Sequence, residues 1–333
     1  LTAPAVAQPL PGGPMTLSEL RTLSAGDGTA NAYFGYAVSV SGNLAAVGAY
    51  GAESGRGAVY LFAQNRGGTE QWQQVRKIMA PDGQPGDHFG FAVSLSGDTL
   101  AVGAPESNEW GADAGTVYVF ERNQGGADQW GYCCRVADTE VNAGDHFGYS
   151  VSLDLNLLAV GAHNDQVNGV ATGAAFVFHR NFGEGWFRKV MRLTAPDGAA
   201  GDRFGIAVAV SDDRVVVGAH QDDNEGGEDA GAAYVFWRDQ GGYNQWGLLR
   251  KMRGETAEDA FGTAVAIHGS WVLVGAPRAD GGGGPFGRAY LYERNQNGAD
   301  GWGLVKTLNP AGATGTPRFG CAVALDAHRA VGG

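Results

Sequence analysis

Phe89-Gly90-Phe91-Ala92-Val93-Ser94-Leu95, then Ser96-Gly97-Asp98, then Leu100-Ala101-Val102-Gly103-Ala104: this stretch reads as two strands with a hairpin between them. Large and small side chains alternate over the first segment, turn residues follow at once, and the second segment is short and apolar. The same text recurs along the chain. Its Phe-Gly step stands at Phe34, Phe89, Phe147, Phe204, Phe261 and Phe319, at intervals of 55, 58, 57, 57 and 58 residues. Its Val-Gly step follows 13 residues after each Phe, at Val47, Val102, Val160, Val217 and Val274, and 12 residues after the last, at Val331. Spacing this regular over 333 residues marks a structural repeat, in which one unit cannot bury its apolar face without its neighbours.

Within the second unit, Thr116-Val117-Tyr118-Val119-Phe120 supplies a third strand, and Gly125-Gly126 turns the chain into a fourth near Trp130. Four antiparallel strands without a helix describe a propeller blade. The expected fold is therefore all-β, a β-propeller of four-stranded antiparallel blades with six repeats visible and a seventh if more chain follows. Gly-Ala and Ala-Val-Ser leave room for a large side chain of the next sheet, and Phe fills the gap between sheets. Trp72, Trp130, Trp186, Trp246 and Trp302 recur after the third turn and are expected to pack beneath it. Leu17, Leu20 and Leu23 stand before Phe34 as Trp72, Val75 and Ile78 stand before Phe89, so the chain opens on a stray fourth strand. The closing blade is then split between the N- and C-termini, which removes an exposed edge. Residues 1–15 read as an N-terminal extension or processed segment, and 16–333 as a single domain.

Composition narrows the partners. Gly is 56 of 333 residues without a Gly-X-Y register, and 44% of the chain is hydrophobic, which excludes collagen and disorder. A net charge of −12 with no Lys/Arg cluster argues against nucleic acid and anionic membrane. No apolar run approaches the ~20 residues of a membrane span. The three cysteines form no framework; adjacent Cys133 and Cys134 leave open a vicinal disulfide or two thiols on one strand. Ala5-Val6-Ala7 before Gln8 resembles the end of a secretory signal and favours export.

Phe89-Gly90 with Gly103-Ala104-Pro105, and Phe261-Gly262 with Gly275-Ala276-Pro277, resemble the FG-GAP repeat of integrin alpha subunits and their bacterial relatives. Gly115-Thr116-Val117-Tyr118-Val119-Phe120 is similar to that family's third strand, and the resemblance covers residues 16–333. It implies six or seven blades and an extracellular recognition or adhesion module rather than a catalyst. The calcium loops of integrins are not carried over, because first-to-second hairpins such as Ser96-Gly97-Asp98 are too short to supply six to eight oxygens.

Sorted by connection, the second-to-third and fourth-to-first loops share one face and hold more than half of the 35 acids. The opposite face carries Arg122, Arg180, Arg238 and Arg294, so a polarised molecule is expected. The densest acidic loop contains Asp222, Asp223, Asn224, Glu225, Glu228 and Asp229; it reads as a Ca2+ site or as a solvated loop. Asp87, Asp145, Asp202 and Asp259 each precede their Phe by two residues, which points to turn chemistry. His88 and His146, and His163 and His220, are repeat equivalents read as loop histidines with no shared role. Trp110 has no counterpart in other units; with Asn108, Glu109 and Asp113 it reads as a contact for a sugar or protein, or as a loop folded onto its own blade. No nucleophile elbow, phosphate loop, zinc spacing or Ser/His/Asp set appears, so no enzyme is expected. The leading function is non-catalytic extracellular recognition of a protein or glycan through the acidic face. The alternatives are a structural subunit of a larger assembly and the propeller part of a larger secreted enzyme.

Overall fold

A computed structural model describes residues 6–9, 21–65, 71–136, 138–180, 185–279, 286–310, 318–327 and 329–333. Five four-stranded antiparallel sheets follow one another, each in simple chain order. Blade 1 comprises Val38–Ser41, Leu44–Ala49, Ala58–Gln64 and Trp72–Ile78. Blade 2 comprises Ala92–Ser96, Thr99–Ala104, Thr116–Glu121 and Gly131–Val136. Blade 3 is built around Ser150–Asp154, Leu157–Ala162, Ala174–Arg180 and Phe187–Leu193. Blades 4 and 5 begin at Ala207 and Ala264 and end at Arg253 and Leu308. The one helical element among the described residues, Ala52–Gly55, holds Glu53 and Ser54 at left-handed φ of 52° and 62° and is a turn rather than a regular helix.

A sixth sheet joins both ends of the chain. Val323–Leu325 pairs with Arg329–Gly332, which pairs on its other side with Val6–Pro9. The N-terminal contribution thus comes from residues within the segment read as an extension, and it occupies the place of a third strand rather than a fourth. Leu17 and Leu20 lie outside the described residues. Leu23 packs against the blade 1 core without belonging to a strand.

Contacts group the chain into two compact units. One holds Glu19–Asp165 and Phe176–Arg192, hence blades 1 to 3; the other holds Leu193–Gly333 with Leu1–Ser18 and Gln166–Ala175. Inside each, the core lies between successive sheets. Val59, Leu61 and Ile78 of blade 1 share a cluster with Phe89, Val93 and Leu95 of blade 2, and Val216 and Val235 of blade 4 share one with Phe261, Val265 and Ile267 of blade 5. Phe34, Phe89, Phe147 and Phe204 each meet two aromatic rings of their own third strand edge-on, as Phe89 meets Tyr118 and Phe120 at 5.5 and 5.8 Å.

The glycines answer to backbone, which corrects the expectation that they make room for a neighbouring side chain. A Cβ on Gly48 would overlap the carbonyl oxygen of Gly90, and one on Gly103 would overlap that of Gly148. Gly57 bridges Phe89 in parallel from the other side, and the same bridge joins Gly115 to Phe147. The Phe-Gly steps at Phe89, Phe147, Phe261 and Phe319 are thereby held between two glycines of the preceding blade. Gly90 itself needs φ +89°, open to glycine without strain.

First strands leave one edge without a ladder partner, and serines of the preceding blade satisfy it. Ser39 and Ser41 Oγ accept the N–H groups of Leu95 and Gly97 at 3.0 Å, and Ser94 and Ser96 do the same for Leu153 and Leu155 at 2.9 and 3.1 Å. First-to-second hairpins are two-residue turns, as short as expected. Trp130, Trp246 and Trp302 are buried, whereas Trp186 departs from the pattern with 57% exposure.

Candidate ligand-binding surface

A polar network recurs at the loop end of the blades. In blade 2 the Tyr118 hydroxyl donates to Asp82 Oδ1 at 2.8 Å, and Arg135 donates to Asp82 Oδ2 at 2.7 Å and to Glu109. Tyr118 and Arg135 are direct partners across the third and fourth strands. Blade 1 repeats the arrangement with Tyr60, Lys77, Asp27 and Glu53, and blade 4 with Tyr234, Lys251, Asp197 and Asp222. In blade 3, where Phe176 replaces the tyrosine, Lys189 pairs with Asp138 and Glu140 at 2.7 Å and Arg192 pairs with Asp165. Burial opposes ionisation of Asp82, yet Tyr118 and Arg135 hold its carboxyl below the usual range; Lys251 and Tyr234 do the same for Asp197.

These fourth-strand cations reach the acidic loops, yet Lys77, Arg135 and Lys251 each lie between two carboxylates, so the networks remain net acidic. The recurring arginines of the other loop set are likewise occupied, Arg180 by a residue of the preceding blade. Arg122 pairs with Asp98 and Asp128, Arg180 with Glu121, and Arg294 with Asp300, while Arg238 lies over the Trp246 ring at 5.6 Å. Asp87, Asp145, Asp202 and Asp259 do form turns. Each is buried and accepts the N–H of the residue three before it, at 2.7, 2.6, 2.7 and 3.0 Å. Burial pushes Asp202 up to about 6.

In blade 2 the network borders a cavity of about 300 Å³, lined by Asp82, Gln84, Asp87, Ser107, Asn108, Glu109, Tyr118 and Arg135. Ser107 explains the space. The corresponding loop position carries Asp165 in blade 3 and Asp222 in blade 4, both buried and paired with a fourth-strand cation. A serine there leaves room. Asn108 and Glu109 line this cavity, and Trp110 beside them is 51% exposed, so the loop does not fold its indole onto the blade. Asn108 Oδ1 accepts the Asp113 N–H at 2.9 Å, which makes both residues braces of the loop; Asp113 does not line the cavity.

The Asp222 to Asp229 loop spends its polar groups on partners of its own. Asp222 is buried and receives Tyr234 Oη at 2.6 Å, Lys251 Nζ at 2.8 Å and Asn224 Nδ2 at 3.0 Å. Asn224 Oδ1 accepts the Gly226 N–H, Asp223 Oδ1 accepts that of Asp229, and Glu225 pairs with Arg253 at 2.9 Å. Among the described residues no group of three or more His, Cys, Asp or Glu side chains is placed to hold a metal ion.

A row of aromatic rings crosses blades 1 to 3. Tyr33 stacks on Tyr50 at 4.7 Å and 6°, Tyr50 meets Tyr36, His88 and Phe91, Phe91 meets Tyr149 at 4.7 Å, and Tyr149 meets His163 at 4.2 Å. Tyr33 and Tyr36 are 55% and 52% exposed. His146 lies 5.4 Å from His163, so these histidines share one surface after all. Burial, with Tyr149 and Tyr50 nearby, pushes Tyr36 up to about 12.

The cavity cation and hydroxyl, Arg135 and Tyr118, and the aromatic row were missed from sequence. The signals were present: Tyr60 and Lys77, Tyr118 and Arg135, and Tyr234 and Lys251 share one spacing, and Tyr36, Phe91 and Tyr149 each follow the repeat Phe by two residues.

No curated protein matches the chain. A family model described as FG-GAP repeat matches residues 17–62, 72–120, 130–178, 187–236 and 254–292, more than half of the sequence. With its repeat glycines clamping four of the Phe-Gly steps and five repeats matched, the chain belongs to the FG-GAP repeat family.

Proposed function

We propose that the protein is a non-catalytic recognition module, exported from the cell, that binds a protein or glycan through the loop face of blades 1 to 3. The observation that carries this reading is the half-exposed Trp110 beside the polar cavity of blade 2. An exposed indole next to hydrogen-bonding groups suits stacking on a sugar ring or anchoring a protein side chain. FG-GAP repeats are typically extracellular, and no described helix is long and apolar enough to cross a membrane. A glycan array and a displayed peptide library, each probed with the wild type and with Trp110→Ala, test the reading. Signal lost in a variant of unchanged circular dichroism and Tm supports it, and equal signal removes Trp110 from the site.

An assembly role has its own support on blade 1. Val38 and Val40 are 66% and 65% exposed, whereas their equivalents Val93 and Leu95 are buried under a neighbouring sheet. A partner presenting another sheet of this kind would cover them. Sedimentation of the wild type and of Val38→Ser with Val40→Ser tests it; identical monomers would remove the assembly role.

A further inference from the structure

Cys133 and Cys134 lie in the fourth strand of blade 2, at the end of the sheet order. Neighbours in a regular strand point to opposite faces, which keeps adjacent thiols apart. Here the register slips, because Val119 pairs with Cys134 and Phe120 with Tyr132, leaving Cys133 as the extra residue of a β-bulge. The bulge interrupts that alternation between the two thiols. Cys133 Sγ also donates to the Gly185 carbonyl oxygen at 3.2 Å, and both thiols are free and half-buried. Blades 1, 4 and 5 carry the same bulge at Val75, Leu249 and Val305, so the bulge belongs to the scaffold and the paired thiols to blade 2 alone.

We propose that Cys133 and Cys134 form a reversible thiol–disulfide site, closed to a vicinal disulfide by exchange with a low-molecular-weight disulfide such as oxidised glutathione. The roles of the two sulfurs differ. The hydrogen bond from Cys134 holds Cys133 down at about 7, and Arg180 assists, so Cys133 is the attacking thiolate; the same bond and burial push Cys134 up. Cys133 sulfur attacks one sulfur of the small disulfide and expels one thiolate, which takes a proton. Cys134 then gives up its proton and attacks the Cys133 sulfur of the mixed disulfide, expelling the second thiol. Two protein thiols are oxidised and one small disulfide is reduced to two thiols. Closure removes the S–H that Cys133 offers Gly185, so oxidation is felt at the start of the blade 3 fourth strand.

The test uses the full chain carrying Cys321→Ser, which removes the exposed third thiol. After incubation with oxidised glutathione, the intact mass should fall by two hydrogens, peptide mapping should place the bond between Cys133 and Cys134, and a phosphine should restore the thiols. Adding Cys134→Ala should instead trap a glutathione adduct on Cys133, and should slow its alkylation at pH 7 about tenfold, because the thiolate loses its donor. An unchanged mass, or a stable glutathione adduct while Cys134 is present, would overturn the proposal. Equal Tm values for the variants exclude misfolding as the cause.

Discussion

Gly97 and Gly103 lie in one hairpin and carry different constraints. Gly97 turns the chain at φ +56° with nothing within 4 Å of a Cβ, whereas a Cβ on Gly103 would meet the carbonyl of Gly148. Gly97→Ala should therefore cost about 1–2 kcal/mol, the left-handed penalty alone. Gly103→Ala should cost about 3 kcal/mol or more, because the backbone of the next blade must shift. Urea unfolding of both variants checks the ordering, which reversed values would refute. Asp202 shows a different residue-scale conflict, since its turn requires a buried carboxylate whose folded-state value is raised to about 6. A raised acid binds more protons folded than unfolded, so its contribution falls as pH rises from the ordinary carboxylate range through about 6. Asp202→Asn keeps an oxygen for the Ala199 N–H and cannot ionise. It should be more stable than the wild type at pH 8 by up to about 3 kcal/mol, with the gain gone near pH 4. A gain independent of pH would argue against burial as the cause.

At the scale of an element, the blade is a sheet with a bulged outer strand and a polar network across its loop end. Its apolar anchor is the repeat Phe: Phe89→Ala should lose about 3–5 kcal/mol by chemical denaturation, since the ring is fully buried between blades 1 and 2. The Asp222 loop holds itself together. Asp222→Ala leaves Lys251 with Asp197 alone and Tyr234 with one acceptor fewer, so a loss of about 3 kcal/mol is expected. Millimolar calcium should leave the wild-type Tm unchanged, because Asp222, Asp223 and Glu225 of that loop already have separate partners. A calcium-dependent rise in Tm that Asp222→Ala abolishes would refute this. From sequence the loop reads as a cation site or a solvated loop, because Lys251 stands 29 residues further on and only strand pairing brings it back. Phe89 and Val102 were legible because each repeat position packs alike; Arg135 and Ser107 were not, because their importance lies in cross-strand and loop contacts that spacing does not reveal.

For the whole molecule, repetition made the sheets readable and concealed the ends. Val6–Pro9 breaks the repeat, reads as an extension, and yet pairs with Arg329–Gly332. Deleting residues 1–9 should leave Val323–Leu325 and Arg329–Gly332 as a two-stranded hairpin that relies on its packing against blade 5. Limited proteolysis should then cut near residues 318–333 first, whereas an unchanged digestion pattern would show that this pairing carries little stability. The Phe-Gly clamps add direction to the array. Gly48 and Gly57 of blade 1 grip a step that lies in blade 2, so blade 1 is finished by residues made after it. On a ribosome, a blade latched in this way would stay open until the next Phe-Gly step had been made.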